Sequence, residues 1–171
     1  HKDTREAPDS QIVTWEYNDL LLHIQGSLMC PYLIKSSEEI RNGDKFPEWL
    51  HSAMRVEIYG TEGMMVFGRQ GGGWQVFGPD GGLLTQQYGR HELDAHIQNF
   101  VDCVRSGKLP NGDIEEGHIS ASLAHIGNIS YRLGSRQLKF DGKKEQFIGD
   151  KKANALLKRT YRKPWVIPEN V

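Results

Sequence analysis

Only two cysteines, Cys30 and Cys103, occur in this 171-residue chain, and they lie in unlike surroundings without metal-type spacing. That excludes a disulfide framework and a zinc ribbon, and leaves two reduced, structural thiols as the expectation. Charge of one sign is not in excess: 21 Lys plus Arg face 22 Asp plus Glu. A nucleic-acid or membrane-surface role therefore gains no support from the overall field. No apolar run approaches the roughly 18 to 20 residues of a membrane helix, and the opening HKDTREAPDS has no apolar centre of the signal-peptide kind. Nucleic acid and membrane are accordingly not expected partners. A strand, a glycine-rich turn and a helix in succession, the arrangement that receives a dinucleotide pyrophosphate, is also missing. The glycine cluster Gly71 to Gly73 lies between two short strands and reads as a hairpin connection. There is no internal repeat and no low-complexity segment. What remains is long enough for one domain, 1–171, with a real core, and short for two.

The first half of that domain is strand-rich. Ile12 to Tyr17 alternates like a half-buried strand, Asn18-Asp19 turns the chain, and Leu20 to Met29 continues as its hairpin partner. Cys30 to Leu50 breaks the pattern at Pro31, Asn42-Gly43 and Pro47, an excursion that Phe46 and Trp49 could anchor. Four short strands follow: Arg55 to Tyr59, Met64 to Arg69, Trp74 to Phe77 and Leu83 to Tyr88. The linkers between them are too short to hold a crossover helix, so the four form an antiparallel meander.

The second half is helix-rich. Leu93, Ile97, Phe100, Val101 and Val104 share one face of a helix that ends at Gly107 and is expected to lie on the sheet. Asp113 to Gly134 carries no full charge between Glu116 and Arg132. Asp113 can cap it with Glu116 reaching back to the cap's own N–H, and Gly134 suits the left-handed residue past its end. Ile119, Leu123, Ile126, Ile129 and Leu133 form its apolar stripe. Gly117, Ala121, Ala124, Gly127 and Asn128 form a small-residue face that allows another backbone close, so this helix reads as sandwiched. Arg136 to Phe140 is expected as a short strand at the sheet edge, and Asp150 to Leu157 as a last short helix. Pro164 and Pro168 keep the tail extended. Strands before helices give an α+β class: an open, mainly antiparallel sheet with helices packed on one face.

HIQNFVDCVRSGKLPNGDIEEGHISASLAHIGNISYRLG, followed by GDKKANALLKRTYRKPWVIP, closely resembles the C-terminal domain of Gfo/Idh/MocA-type oxidoreductases, especially a bacterial branch with a YRKPW-like tail. The TWEY strand and the EIYGTEGMM hairpin resemble it too. The resemblance implies an N-terminal Rossmann domain that binds NAD or NADP, and a C-terminal α+β domain that covers a sugar, inositol or related polyol and builds a homo-oligomer through its open sheet. It also implies a Glu-Lys-Pro segment and an acid/base pair preceding the first strand read here. No cofactor-binding and no catalytic residue is then expected in this segment; NAD or NADP belongs to the parent protein. Both a bacterial cytoplasmic and an exported location fit, the cytoplasm being the default. Two other roles stay open at this point: a non-enzymatic assembly or sugar-binding module, and a relative that cleaves glycosides with NAD.

Candidate contacts to a substrate or to the preceding domain are His96, Glu116, His118 and His125. His118 and His125 are seven apart, almost on one helical line, with Ser122 between them. Packing histidines are commoner than ligands at that spacing, and metal binding through it is poor. Glu115 and Glu116 lie where the helix dipole favours negative charge. His91 and His96 flank the apolar face of the preceding helix. Arg159, Tyr161, Arg162, Lys163 and Trp165 mix cations with aromatics, and tail packing onto this domain or a neighbouring subunit is the expected use. Trp15, Tyr17, Trp74 and Phe77 lie on strands, where sheet packing is commoner than a sugar face.

Overall fold

The computed structural model describes residues 7–28, 54–68, 73–89 and 93–167. The excursion at Cys30 to Leu50, with Phe46 and Trp49, lies outside them, as do Arg69, Gly71, His91 and Pro168. Among the described residues six strands precede the two long helices, a small hairpin and a last short helix follow, and no sheet closes into a barrel, an α+β arrangement. By contacts the chain divides into residues 27–112 and a second unit made of 1–26 with 113–171.

In the 27–112 unit, β3 (Arg55–Tyr59), β4 (Met64–Gly68), β5 (Trp74–Phe77) and β6 (Leu83–Gln87) form the expected four-stranded meander in sequence order. Each strand starts and stops within a residue of its sequence signal, because the glycine-bearing turns leave no freedom in between. Gly60 N–H closes one turn on the Gly63 carbonyl at 2.8 Å, and Gly78 N–H closes another on Gly82 at 2.9 Å. Gly73 holds φ at +77°, and an added Cβ would stand 2.1 Å from the Gln87 carbonyl oxygen, so no other residue fits there. Registers Val56↔Phe67↔Trp74 and Ile58↔Met65↔Val76 put six apolar side chains on one face of the sheet. Glu57↔Val66↔Gln75↔Gln86 forms a row on the other face, where Val66 is 3% exposed.

Helix α1 (Leu93–Ser106) belongs to the same unit. Its apolar stripe was expected to be covered by the sheet. Instead Leu93, Ile97, Phe100 and Val104 remain 52–69% exposed, so amphipathic spacing correctly marks the helix but not its cover.

The other unit pairs β1 (Ser10–Glu16) with β2 (Leu21–Ser27), a hairpin closed by Tyr17 N–H on the Leu20 carbonyl at 2.9 Å. Gln11, Val13 and Trp15 turn inward while Ser10, Ile12, Thr14 and Glu16 stay exposed, the period-2 pattern of a half-buried strand. Helix α2 (Ile114–Arg132) is punctuated as its sequence implies. Asp113 caps it, accepting from Glu115 N–H at 3.2 Å. Glu116 makes no return bond to the cap, so the start is capped from one side only. At the far end Ser135 N–H reaches the Ser130 carbonyl and Gly134 N–H the Tyr131 carbonyl, a Schellman motif with Gly134 at φ +89°.

The core of this unit lies beyond the middle of α2. Ile129, Phe147 and Ala153 are buried together, with Ile126, Leu133, Leu138, Phe140 and Leu156 packed around them. Phe147 belongs to β8 (Gln146–Phe147), which pairs antiparallel with β7 (Phe140–Asp141). Here the sequence expectation of a strand over Arg136 to Phe140 at the large sheet's edge is corrected: the strand is a two-residue arm of its own small hairpin. Asp141 explains why, since its side chain accepts from Lys143 N–H and Lys144 N–H at 3.0 and 3.1 Å and turns the chain back at once.

Helix α3 (Lys151–Ala155) seals this hairpin. The Asn154 amide accepts from Phe147 N–H and donates to the Phe147 carbonyl, both at 2.8 Å, so both backbone groups of the most buried aromatic are satisfied. Asp150 caps α3 on Ala153 N–H at 2.9 Å and meets Arg136 at 2.5 Å. These two donors, the amide first, hold its carboxyl below the ordinary 3.8. A depressed folded value stabilises the fold above the unfolded value and loses that contribution as pH falls through the folded one. Asp150→Asn keeps an acceptor at the cap and removes the titration. Its melting temperature should therefore fall less steeply than that of the wild type on acidification below about pH 4, and parallel curves would remove Asp150 from the acid transition.

The tail turns rather than running straight: Trp165 N–H bonds the Arg162 carbonyl at 2.8 Å. Trp165 is 73% exposed, so within this chain the tail does not pack as expected.

Candidate functional site

Three of the four candidate side chains ride on α2, and they cluster on its first two-thirds, before the buried core begins. This half of the helix is open. Ile114 and Ile119 are 83% and 51% exposed, and Gly117, Ala121 and Ala124 are exposed with them. The reading of α2 as sandwiched thus holds only for its second half. There Gly127 is buried, and a Cβ would meet both Val13 methyls at 3.1 Å and Trp15 at 3.6 Å. The small-residue face accommodates two side chains of β1, not the backbone segment that its composition suggested.

Glu116 lies exposed in the first turn of α2 beside Glu115. His118 does not pack; its Nε2 meets Glu145 Oε1 at 2.6 Å, tying the open half of α2 to the β7–β8 turn. Both partners are more than half exposed, so the pair is solvent-screened and contributes well under about 1 kcal/mol. His125 is exposed and meets neither His118 nor Glu116. Nothing in the sequence pointed to Glu145, which is 27 residues from His118 and holds a left-handed φ of +50°.

His96 belongs to the other unit, on α1. With Ile97, Asn99, Phe100, Pro110 and Gly112 it lines a shallow cavity of about 260 Å³. The loop that forms its far wall is held to α1 by Asn111 N–H on Asn99 Oδ1 at 2.8 Å and by the Cys103 thiol on the Leu109 carbonyl at 3.3 Å. The cavity is mostly apolar, with His96 as its titratable group.

A second polar cluster, on β3, was not foreseen. Glu57 accepts from the Tyr59 hydroxyl and from Arg55 Nε, each at 2.5 Å. The hydroxyl first and the guanidinium second hold the Glu57 carboxyl below the ordinary 4.5, and the same bond raises the Tyr59 phenol above 10.0. The three alternate along one strand, so period 2 brings them to one face; a strand with Arg, Glu and Tyr two apart is the signal that could have revealed them. Among the described residues no three His, Cys, Asp or Glu side chains gather as a metal site.

Compared with known proteins, residues 66–167 match the family model described as an oxidoreductase family, C-terminal alpha/beta domain, of the Gfo/Idh/MocA group. The match spans more than half of the chain and runs from within β4 through β5, β6, α1, α2 and the small hairpin to α3. No curated protein and no solved structure matches the chain.

Proposed function

Because the chain belongs to the Gfo/Idh/MocA oxidoreductase family, whose C-terminal domain it carries, we propose that it is the substrate-side and oligomerisation domain of an NAD(P)-dependent enzyme acting on a sugar, inositol or related polyol. The observation that carries this reading is the family match across both long helices. Hydride transfer to nicotinamide is the chemistry that NAD or NADP supplies, and it belongs to a dinucleotide domain outside this segment.

This chain's own contribution is surface. The open half of α2 exposes His118 and His125 on one side and Glu116 on the opposite side, with Gly117, Ala121 and Ala124 between them. A substrate hydroxyl or the preceding domain would therefore meet the two histidines or the carboxylate, not all three at once. The cavity at His96 is the second candidate contact. On the sheet, Val56, Ile58, Met65, Phe67, Trp74 and Val76 share one face, and its size and apolarity support association with another copy.

Calorimetric titration of the chain with NAD and with NADP tests the division of labour. No saturable binding is expected. Binding tighter than about 100 µM, roughly 5.5 kcal/mol, would place the cofactor site in this chain and overturn the reading.

A further inference from the structure

The two outer strands of the meander differ in chemistry. β3 is guarded, since Arg55 and Glu57 put opposite charges on it, and inserted charge is how sheet edges are normally kept from pairing. β6 is unguarded. Its five residues, LLTQQ, are all exposed, and Leu84 is 65% exposed. From Gly73 to Gly89 the sole charged residue is Asp80, in the β5–β6 turn, although a quarter of the chain is charged. Among the described residues no strand pairs with the outer side of β6. No proline interrupts it, and the register shift between Val76 and Phe77 lies on its partner β5.

We propose that β6 is a pairing edge for β6 of a second copy, running antiparallel with the two-fold axis at Gln86. Two features choose that register. Gln75 Nε2 donates to Gln86 Oε1 at 2.9 Å, so Gln86 already forms one rung of an amide ladder, and a dyad there continues the ladder through the partner's Gln86 and Gln75. The same dyad places Leu84 opposite the partner's Tyr88, twice by symmetry, and an aromatic opposite an aliphatic is a favourable cross-strand pair. Both side chains are exposed in the single chain, at 65% and 48%. A strand that is its own complement gives a closed dimer rather than a fibre. This edge contact is separate from the apolar sheet face proposed above.

Sedimentation velocity at micromolar protein, combined with cysteine cross-linking in a Cys30→Ser/Cys103→Ser background, tests it. Opposed residues of an antiparallel pair have Cα atoms about 4.5 to 5.5 Å apart, within disulfide reach. Gln86→Cys should therefore give a covalent dimer on mild oxidation, while Gln75→Cys should not. Gln86→Lys sets like charges face to face and should weaken the dimer by about tenfold or more, with an unchanged melting temperature showing that the chain still folds. Ile58→Lys, on the opposite face, should leave the cross-link intact. A dimer dissolved by Ile58→Lys but indifferent to Gln86→Lys and uncrosslinked by Gln86→Cys would overturn the edge contact while upholding the face. A chain that stays monomeric throughout would overturn both.

Discussion

Phe147→Ala is expected to destabilise the second unit by about 3 to 5 kcal/mol, lowering its melting temperature by on the order of 10 °C. Phe147 is 2% exposed and joins α2 to α3 through Ile129 and Ala153. Phe140 crosses it edge-on, with ring centroids 5.1 Å apart. Truncation would leave a ring-sized void among residues fixed from three sides, and the Asn154 amide that grips the Phe147 backbone prevents β8 from collapsing into it. The cost should therefore lie at the upper part of that range. Circular dichroism melts of the variant check this, and a loss below about 1 kcal/mol would show that the cluster is not the unit's core.

The second large effect contrasts two positions on one helix face. Gly127→Leu is expected to cost about 1 to 3 kcal/mol or more, because even a Cβ would press both Val13 methyls at 3.1 Å. Ala124→Leu, three residues earlier, is exposed and should change the stability of this chain by no more than about 0.5 kcal/mol. Both residues read alike in the sequence, as small side chains on one strip. The structure separates them by where β1 crosses. If the open half of α2 meets the preceding domain, Ala124→Leu should lower activity in the parent enzyme while leaving this chain's melt unchanged. Unchanged activity there would mean that the strip faces solvent. Equal melting losses at the two positions would contradict the contact geometry around Gly127.

Much of the architecture is legible in the sequence for a physical reason: local signals set local structure. Turns at Gly60 to Gly63 and Pro79 to Gly82 fix the meander, and Asp113, Gly134 and Asp150 fix helix ends through bonds that span only a few residues. What is not legible depends on partners distant in the chain. The amphipathic stripe of α1 announces that something apolar belongs beside it, without saying what. The small-residue face of α2 announces close approach, and its occupant is a pair of β1 side chains more than a hundred residues away. Of the candidate site residues, His118 is the one that the structure gives a specific partner, Glu145, which no spacing rule connects to it. Arg136 to Phe140 failed as an edge strand because β-propensity says nothing about the Asp141 turn that follows directly.

The central claim is that this chain is the substrate-side half of an NAD(P)-dependent enzyme, and the coding sequence immediately upstream of His1 tests it most directly. The account predicts, in frame, a strand, a glycine-rich turn and a helix of the dinucleotide-binding kind, followed by a Glu-Lys-Pro segment before the first strand described here. A stop codon or an unrelated domain at that place would contradict it and leave a stand-alone assembly or sugar-binding module in its stead.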